Sequence, residues 1–165
     1  MEITIRKALP KDANAYTNCT IACWQAAYRG IVPDEYLDNM PTNKILWEKT
    51  LARLENPGFC EYYCVMHSNE MTGQLIVDTE YSEIWAIYLV KAFWGKGHGK
   101  KMLDFAINAL KNVGHKQITL WVFETNHHAR RFYEKHGFAP SGEKKTVEKY
   151  GGVPLVEMQY TLNLE

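Results

Sequence analysis

The chain has no excess of charge of either sign: across 165 residues, 19 Lys and Arg balance 19 Asp and Glu. A balanced chain offers no global field to nucleic acid or to an anionic membrane, so any anion site must be local. It also lacks a long apolar run. No stretch approaches the roughly 20 residues that span a bilayer. The opening Met1-Glu2-Ile3-Thr4-Ile5-Arg6 alternates polar and apolar residues where a signal peptide would be continuously apolar. A cytoplasmic location, with neither nucleic acid nor membrane as partner, is the expectation. No internal repeat, low-complexity tract or Gly/Ser linker divides the sequence, and its length suits one domain over residues 1–165.

Cysteine is scarce, at four residues in two Cys-x-x-x-Cys pairs, Cys19/Cys23 and Cys60/Cys64. Cys60 and Cys64 lie in an expected strand, where four residues span about 13 Å. Two sulfurs on one zinc, each about 2.3 Å from it, must be far closer. The spacing also differs from a zinc ribbon. All four read as reduced core thiols, and no metal is expected.

Against these absences stands an apolar share of 46%, enough for a sizeable core. Residues 3–8 read as a strand, and Pro10-Lys11-Asp12 opens a helix whose apolar stripe is Tyr16, Cys19, Cys23, Trp24 and Ala27. Gly30 is expected to end it. A short helix follows Pro33, and another runs from about Pro41 to Glu55. Three strands come next, at about 59–67, 72–78 and 83–90. A helix from about His98 to Gly114 carries Met102, Leu103, Ala106, Ile107 and Leu110 on one face. Residues 117–123 read as a buried strand, 126–136 as a helix closed by Gly137, and 144–149 with 155–162 as a final hairpin. This mixed order indicates an α/β or α+β sandwich.

The most informative segment is the loop Gly95-Lys96-Gly97-His98-Gly99-Lys100, between a strand and a helix. Its glycines let backbone N–H groups approach an anion without Cβ interference, and the new helix adds positive partial charge. Lys96, Lys100 and Lys101 supply local cations, and His98 could touch phosphate. A diphosphate is the ligand this chemistry suits, although such loops also serve simply as tight turns. The Gly-Lys-Ser/Thr ending of a Walker loop is absent. A dinucleotide loop needs Gly-x-Gly-x-x-Gly, and here the last gap is one residue short. Glu124, at the end of the following strand, could still mimic its ribose-binding acid.

Leu89-Val90-Lys91-Ala92-Phe93-Trp94-Gly95-Lys96-Gly97-His98-Gly99-Lys100 resembles the acetyl-CoA loop of the GNAT superfamily, Gln/Arg-Gly-x-Gly-x-Gly/Ala after a strand. Asn126-x-x-Ala129-x-x-Phe132-Tyr133-Glu134-Lys135-x-Gly137-Phe138 resembles that family's second signature. Residues 24–37 and the closing hairpin also resemble bacterial members. One departure is plain: Trp94 stands at the usual Gln/Arg position and removes a side-chain phosphate contact. The resemblance implies a mixed, mostly antiparallel central sheet of about seven strands, flanked by helices and splayed between the fourth and fifth. It implies acetyl transfer from acetyl-CoA, as co-substrate, to a primary amine of a small molecule, polyamine or peptide by direct attack. A homodimer is left open.

Asn126, Ala129 and Tyr133 share one helical face. The resemblance places that face along the pantetheine arm, with Asn126 hydrogen-bonding the cofactor and Tyr133 protonating the departing thiolate. The other reading makes Phe132 and Tyr133 core aromatics. Leu89 and Val90 would offer backbone groups to the pantetheine amides. Glu83, the only carboxylate of its strand, is the candidate base through water, or else a polar strand end. His127 and His128 are adjacent and cannot share a helical face, which disfavours a metal pair. Aromatic Trp24, Tyr28, Tyr36, Trp47 and Tyr150 are candidates for the acceptor pocket or for core packing. Asp34, Glu35 and Asp38 could attract a polyamine or mark a solvated helix. A catalytically weak acetyl-CoA-binding sensor is the alternative function, and Trp94 is the residue that favours it.

Overall fold

The computed structural model describes residues 2–165. Seven strands form one sheet: β1 (Thr4–Lys7), β2 (Cys60–His67), β3 (Glu70–Asp78), β4 (Glu83–Leu89), β5 (Gln117–Phe123), β6 (Ala139–Val147) and β7 (Leu155–Asn163). Their order is β1-β2-β3-β4-β5-β7-β6. Every pairing is antiparallel except β4 with β5, which is parallel and consists of only Glu83 with Thr119 and Ile84 with Leu120. Beyond Ile84 the two strands diverge. The expected splay between the fourth and fifth strands is therefore present, and it leaves the second half of β4 without a neighbour on that side.

The helices are α1 (Ala13–Ala27), α2 (Asp34–Asn39), α3 (Lys44–Glu55), α4 (His98–Val113) and α5 (His127–Lys135). One face of the sheet gives Leu75, Val77, Ile84, Ile118 and Leu120 to a core closed by Leu103, Ala106 and Leu110 of α4. Leu103 and Leu110 are completely buried. Each such side chain contributes about 1.5–3 kcal/mol, and Leu103→Ala would remove about 2–5 kcal/mol. Both ends of α4 use glycines in the left-handed region, Gly97 at φ +81° before it and Gly114 at φ +105° after it. The opposite face is covered by α1 and α3, where Tyr16, Leu54, Cys60, Tyr62 and Cys64 pack together. All four cysteines are buried, and the sulfurs of Cys19 and Cys23 lie 4.0 Å apart on successive turns of α1.

Several boundaries differ from the sequence reading by a residue or two, as where β3 starts at Glu70, and three differences have a clear local cause. Helix α1 stops at Ala27, before Gly30, because residues 28–32 form a tight turn with Arg29 bridged to Val32. Pro41 sits in a separate 3-10 turn, Met40–Thr42, ahead of α3. Strand β6 starts at Ala139, five residues before the expected position, and its register with β7 shifts between Pro140 and Lys144. It is the outer strand and exposed over most of its length, so no alternation of apolar residues marks it. Among the described residues, no helix is long and apolar enough to cross a membrane.

Candidate active site

The open edge of β4 is defined by hydrogen-bond parity. The Val90 N–H donates to the Thr72 carbonyl at 2.9 Å, and Leu89 sits opposite Gly73. Bonded and non-bonded pairs alternate in an antiparallel ladder. The N–H and C=O groups of Ile87 and Leu89 therefore face the gap beside β5. This corrects one expectation: Val90 cannot offer its N–H to a ligand, because β3 already takes it. The groups left open toward the gap are those of Ile87, two residues before Leu89 on the same edge. The Leu89 carbonyl already has a partner, the Trp94 indole N–H, at 2.6 Å. That indole also stacks on His128, with ring centroids 5.3 Å apart and planes 20° from parallel.

The glycine loop lies at one end of a cavity of about 1430 Å³. Gly95 and Gly97 have φ of +71° and +81°, which strains any L side chain, and nothing lies within 4 Å of an added Cβ. Gly95, Gly97, Gly99 and Lys100 line the cavity. At Gly99 the constraint is packing, since a Cβ would meet Phe132 of α5 at 3.3 Å. Two of the expected side chains lie outside the lining. Lys96 turns its ammonium onto the Ala92 carbonyl at 2.7 Å and is outside the lining. His98 is only 3% exposed, also outside the lining, and neither ring nitrogen has a partner. Burial, with Lys101 and Lys96 nearby, holds its imidazole below the ordinary value. His98 can serve a phosphate only through its backbone N–H at the start of α4.

Asn126 caps α5, its Oδ1 accepting the Ala129 N–H at 3.2 Å, which leaves the side-chain NH₂ for another partner. Asn126, Ala129 and Tyr133 all line the cavity, as the shared helical face requires. Arg131 and Lys135, four residues apart on α5, line it as well. Sequence reasoning missed them, although their spacing and charge mark one face. Burial raises the Tyr133 hydroxyl to about 12, so it is protonated at neutral pH. Tyr28 and Tyr88 are near enough to Tyr133 to interact electrostatically, and both are also raised, chiefly by burial.

At the far end the lining includes Trp24, Tyr28, Tyr36 and Tyr150, but not Trp47. Trp24 meets Tyr150 and Tyr28 at centroid distances of 5.0 and 4.9 Å. The Trp24 indole N–H and the Tyr16 hydroxyl are buried without partners, and both residues line the cavity. Glu83 lines it at the last residues where β4 and β5 still pair. Burial raises its carboxyl, Glu157 and Asp78 push the same way, and Lys145 opposes them. Asp34 and Asp38 are held by Arg29, and neither they nor Glu35 line the cavity. Among the described residues, no group of three or more His, Cys, Asp or Glu is placed to hold a metal.

Residues 21–138 match the model of the Acetyltransferase (GNAT) family. A probable spermine N(1)-acetyltransferase of Bacillus subtilis subsp. natto is 32% identical over 110 residues, 58% of this chain and 72% of that protein. A probable N-acetyltransferase of Mycobacterium tuberculosis is 25% identical over 165 residues, 97% of this chain and 93% of that one. Among solved structures, the PaiA N-acetyltransferase of Thermoplasma acidophilum in complex with coenzyme A superposes with a TM-score of 0.74. The identity there is 22%, and the match covers 99% of this chain and all of that chain.

Proposed function

The chain belongs to the GNAT acetyltransferase family, and from that premise we propose that it moves the acetyl group of acetyl-CoA to a primary amine by direct attack within a ternary complex. The carrying observation is the single cavity of about 1430 Å³, lined at one end by the glycine loop and α5 and at the other by aromatics and Glu83. A site for one small ligand is about 300–1,000 Å³. This one has room for both substrates together.

The glycine loop, the start of α4 and Lys100 suit the diphosphate, with Arg131 and Lys135 as further cations for the phosphates of coenzyme A. The pantetheine amides take the open groups of Ile87 and the Leu89 N–H, and compete with the Trp94 indole for the Leu89 carbonyl. An ammonium acceptor first gives a proton, through water, to Glu83. Its free nitrogen then attacks the thioester carbonyl, and the carbon–sulfur bond breaks as the tetrahedral intermediate collapses. Tyr133 donates its hydroxyl proton to the departing sulfur and regains one from the nitrogen that becomes the amide. The products are the N-acetyl amine, free coenzyme A and one proton. A covalent route has one cysteine in the cavity, Cys23. Its hydrogen bond with the Cys19 thiol and its burial hold that thiol far above the ordinary range, which leaves little thiolate to accept an acetyl group.

Trp94 favours a second reading. Its indole occupies the Leu89 carbonyl that pantetheine would use, as suits a catalytically weak acetyl-CoA-binding module. Initial rates with both substrates varied separate the two. Intersecting reciprocal plots support direct transfer, parallel plots indicate an acetyl-enzyme, and binding of acetyl-CoA without turnover indicates the module.

A further inference from the structure

The charges lining the cavity are unequally divided. Only two carboxylates line it, Glu83 and Glu157. Glu157 is already paired: the Lys145 ammonium lies 3.4 Å from its Oε2 and 4.1 Å above the Trp121 ring. Glu83 is the one acid left, and the acetyl-transfer chemistry uses it for the amine's proton. Lys49 and Arg53 of α3 line the same cavity one helical turn apart, joined by Lys149 beside Tyr150. Among the described residues, no carboxylate lies within ion-pair distance of Lys49, Arg53 or Lys149. These cations come from α3 and the β6–β7 connection, not from the glycine loop or α5. None of the acidic residues of α2 lines the cavity, and Arg29 holds two of them, Asp34 and Asp38.

We propose that the acceptor is a small amine bearing an acidic group, of amino-acid type, with its ammonium at Glu83 and its acid at Lys49, Arg53 and Lys149. This rests on the acetyltransferase reading and sharpens its acceptor. A linear polyamine would bring several ammonium groups to a region with one free carboxylate and three free cations, and like charges brought together at a site reject the wrong partner. The aromatic wall of Trp24, Tyr36 and Tyr150 then packs the acceptor's carbon skeleton between the two charged ends.

The test compares matched pairs, tyrosine with tyramine and lysine with cadaverine, alongside spermidine, by kcat/KM at saturating acetyl-CoA. The acid-bearing member of each pair is expected to lead by about tenfold or more, with spermidine far behind. The double variant Lys49→Gln/Arg53→Gln, altered only at exposed helix positions, should raise KM for the acid-bearing acceptor about three- to tenfold. Its acetyl-CoA KM should be unchanged. Preference for spermidine or for the decarboxylated amines overturns this inference and leaves acetyl transfer standing, as does an unchanged KM in the double variant. Absence of acetylation with every amine overturns the transferase reading, and this one with it.

Discussion

Replacing Trp94 by phenylalanine removes one hydrogen bond and trims a ring that packs against the cluster of Ile3, Val65, Leu89 and Met102. The indole N–H meets the Leu89 carbonyl at 2.6 Å, while the ring stacks on His128, a contact that a phenyl ring preserves in kind. In the free protein that bond contributes about 0.5–1.5 kcal/mol net. If a pantetheine amide must take the same carbonyl, the bond is lost on binding and its free energy is subtracted from the affinity. Trp94→Phe should then bind acetyl-CoA about 2- to 12-fold more tightly, since 1.4 kcal/mol is a factor of ten. The unliganded variant should lose at least about 0.5–1.5 kcal/mol of stability, since the smaller ring also packs less well on Ile3, Val65, Leu89 and Met102. Calorimetric titration at fixed salt gives the affinity, and denaturant unfolding of the free protein gives the stability. Weaker binding by Trp94→Phe with unchanged stability would refute the reasoning, because the indole would then be a ligand to the cofactor and not its competitor.

Tyr133→Phe should lower kcat by about 10²–10⁴-fold and leave the acetyl-CoA dissociation constant unchanged, as single-turnover rates and calorimetry would show. Glu83 must be ionised to accept a proton, and its carboxyl is raised by burial, so the rate should fall as pH drops through that raised value. Glu83→Gln should lower the rate and flatten this acid limb, which a pH–rate profile reads directly. His98→Leu should stabilise the fold by about 1–2 kcal/mol, because it removes a buried ring whose two nitrogens have no partner. Burial holds the His98 imidazole below its ordinary value in the folded state, whereas the unfolded chain takes up a proton below about pH 6.5. Wild-type stability therefore falls as pH drops from there toward the depressed folded value, and the His98→Leu unfolding profile should lack that fall.

The buried elements were legible in the sequence and the exposed ones less so. Strand β5 has the expected bounds, and the helix after the glycine loop ends one residue before its glycine cap, because period and punctuation coincide there. Strand β6 is longer than its sequence indicates, because an outer strand carrying Glu143, Lys144 and Lys145 buries nothing periodic. At the site, motif spacing brought Gly95, Gly97, Gly99, Asn126 and Tyr133 to one cavity. It could not show that Lys96 turns to Ala92, or that His98 is enclosed, since both depend on how the loop folds over its neighbours. Nor does it show the β3 register, which gives the Val90 N–H to Thr72. Lys49 and Arg53 carried no signal at all, because only the tertiary fold sets α3 against the far end of the cavity.

The central claim is acetyl transfer to an amine, and product analysis tests it most directly. The purified protein is incubated with acetyl-CoA and an amine panel, free coenzyme A is quantified, and the acceptor is weighed by mass spectrometry. The account predicts an acceptor heavier by one acetyl group, formed in equal amount with coenzyme A and lost with Tyr133→Phe. Coenzyme A released without an acetylated amine, or no release despite tight acetyl-CoA binding, would contradict it.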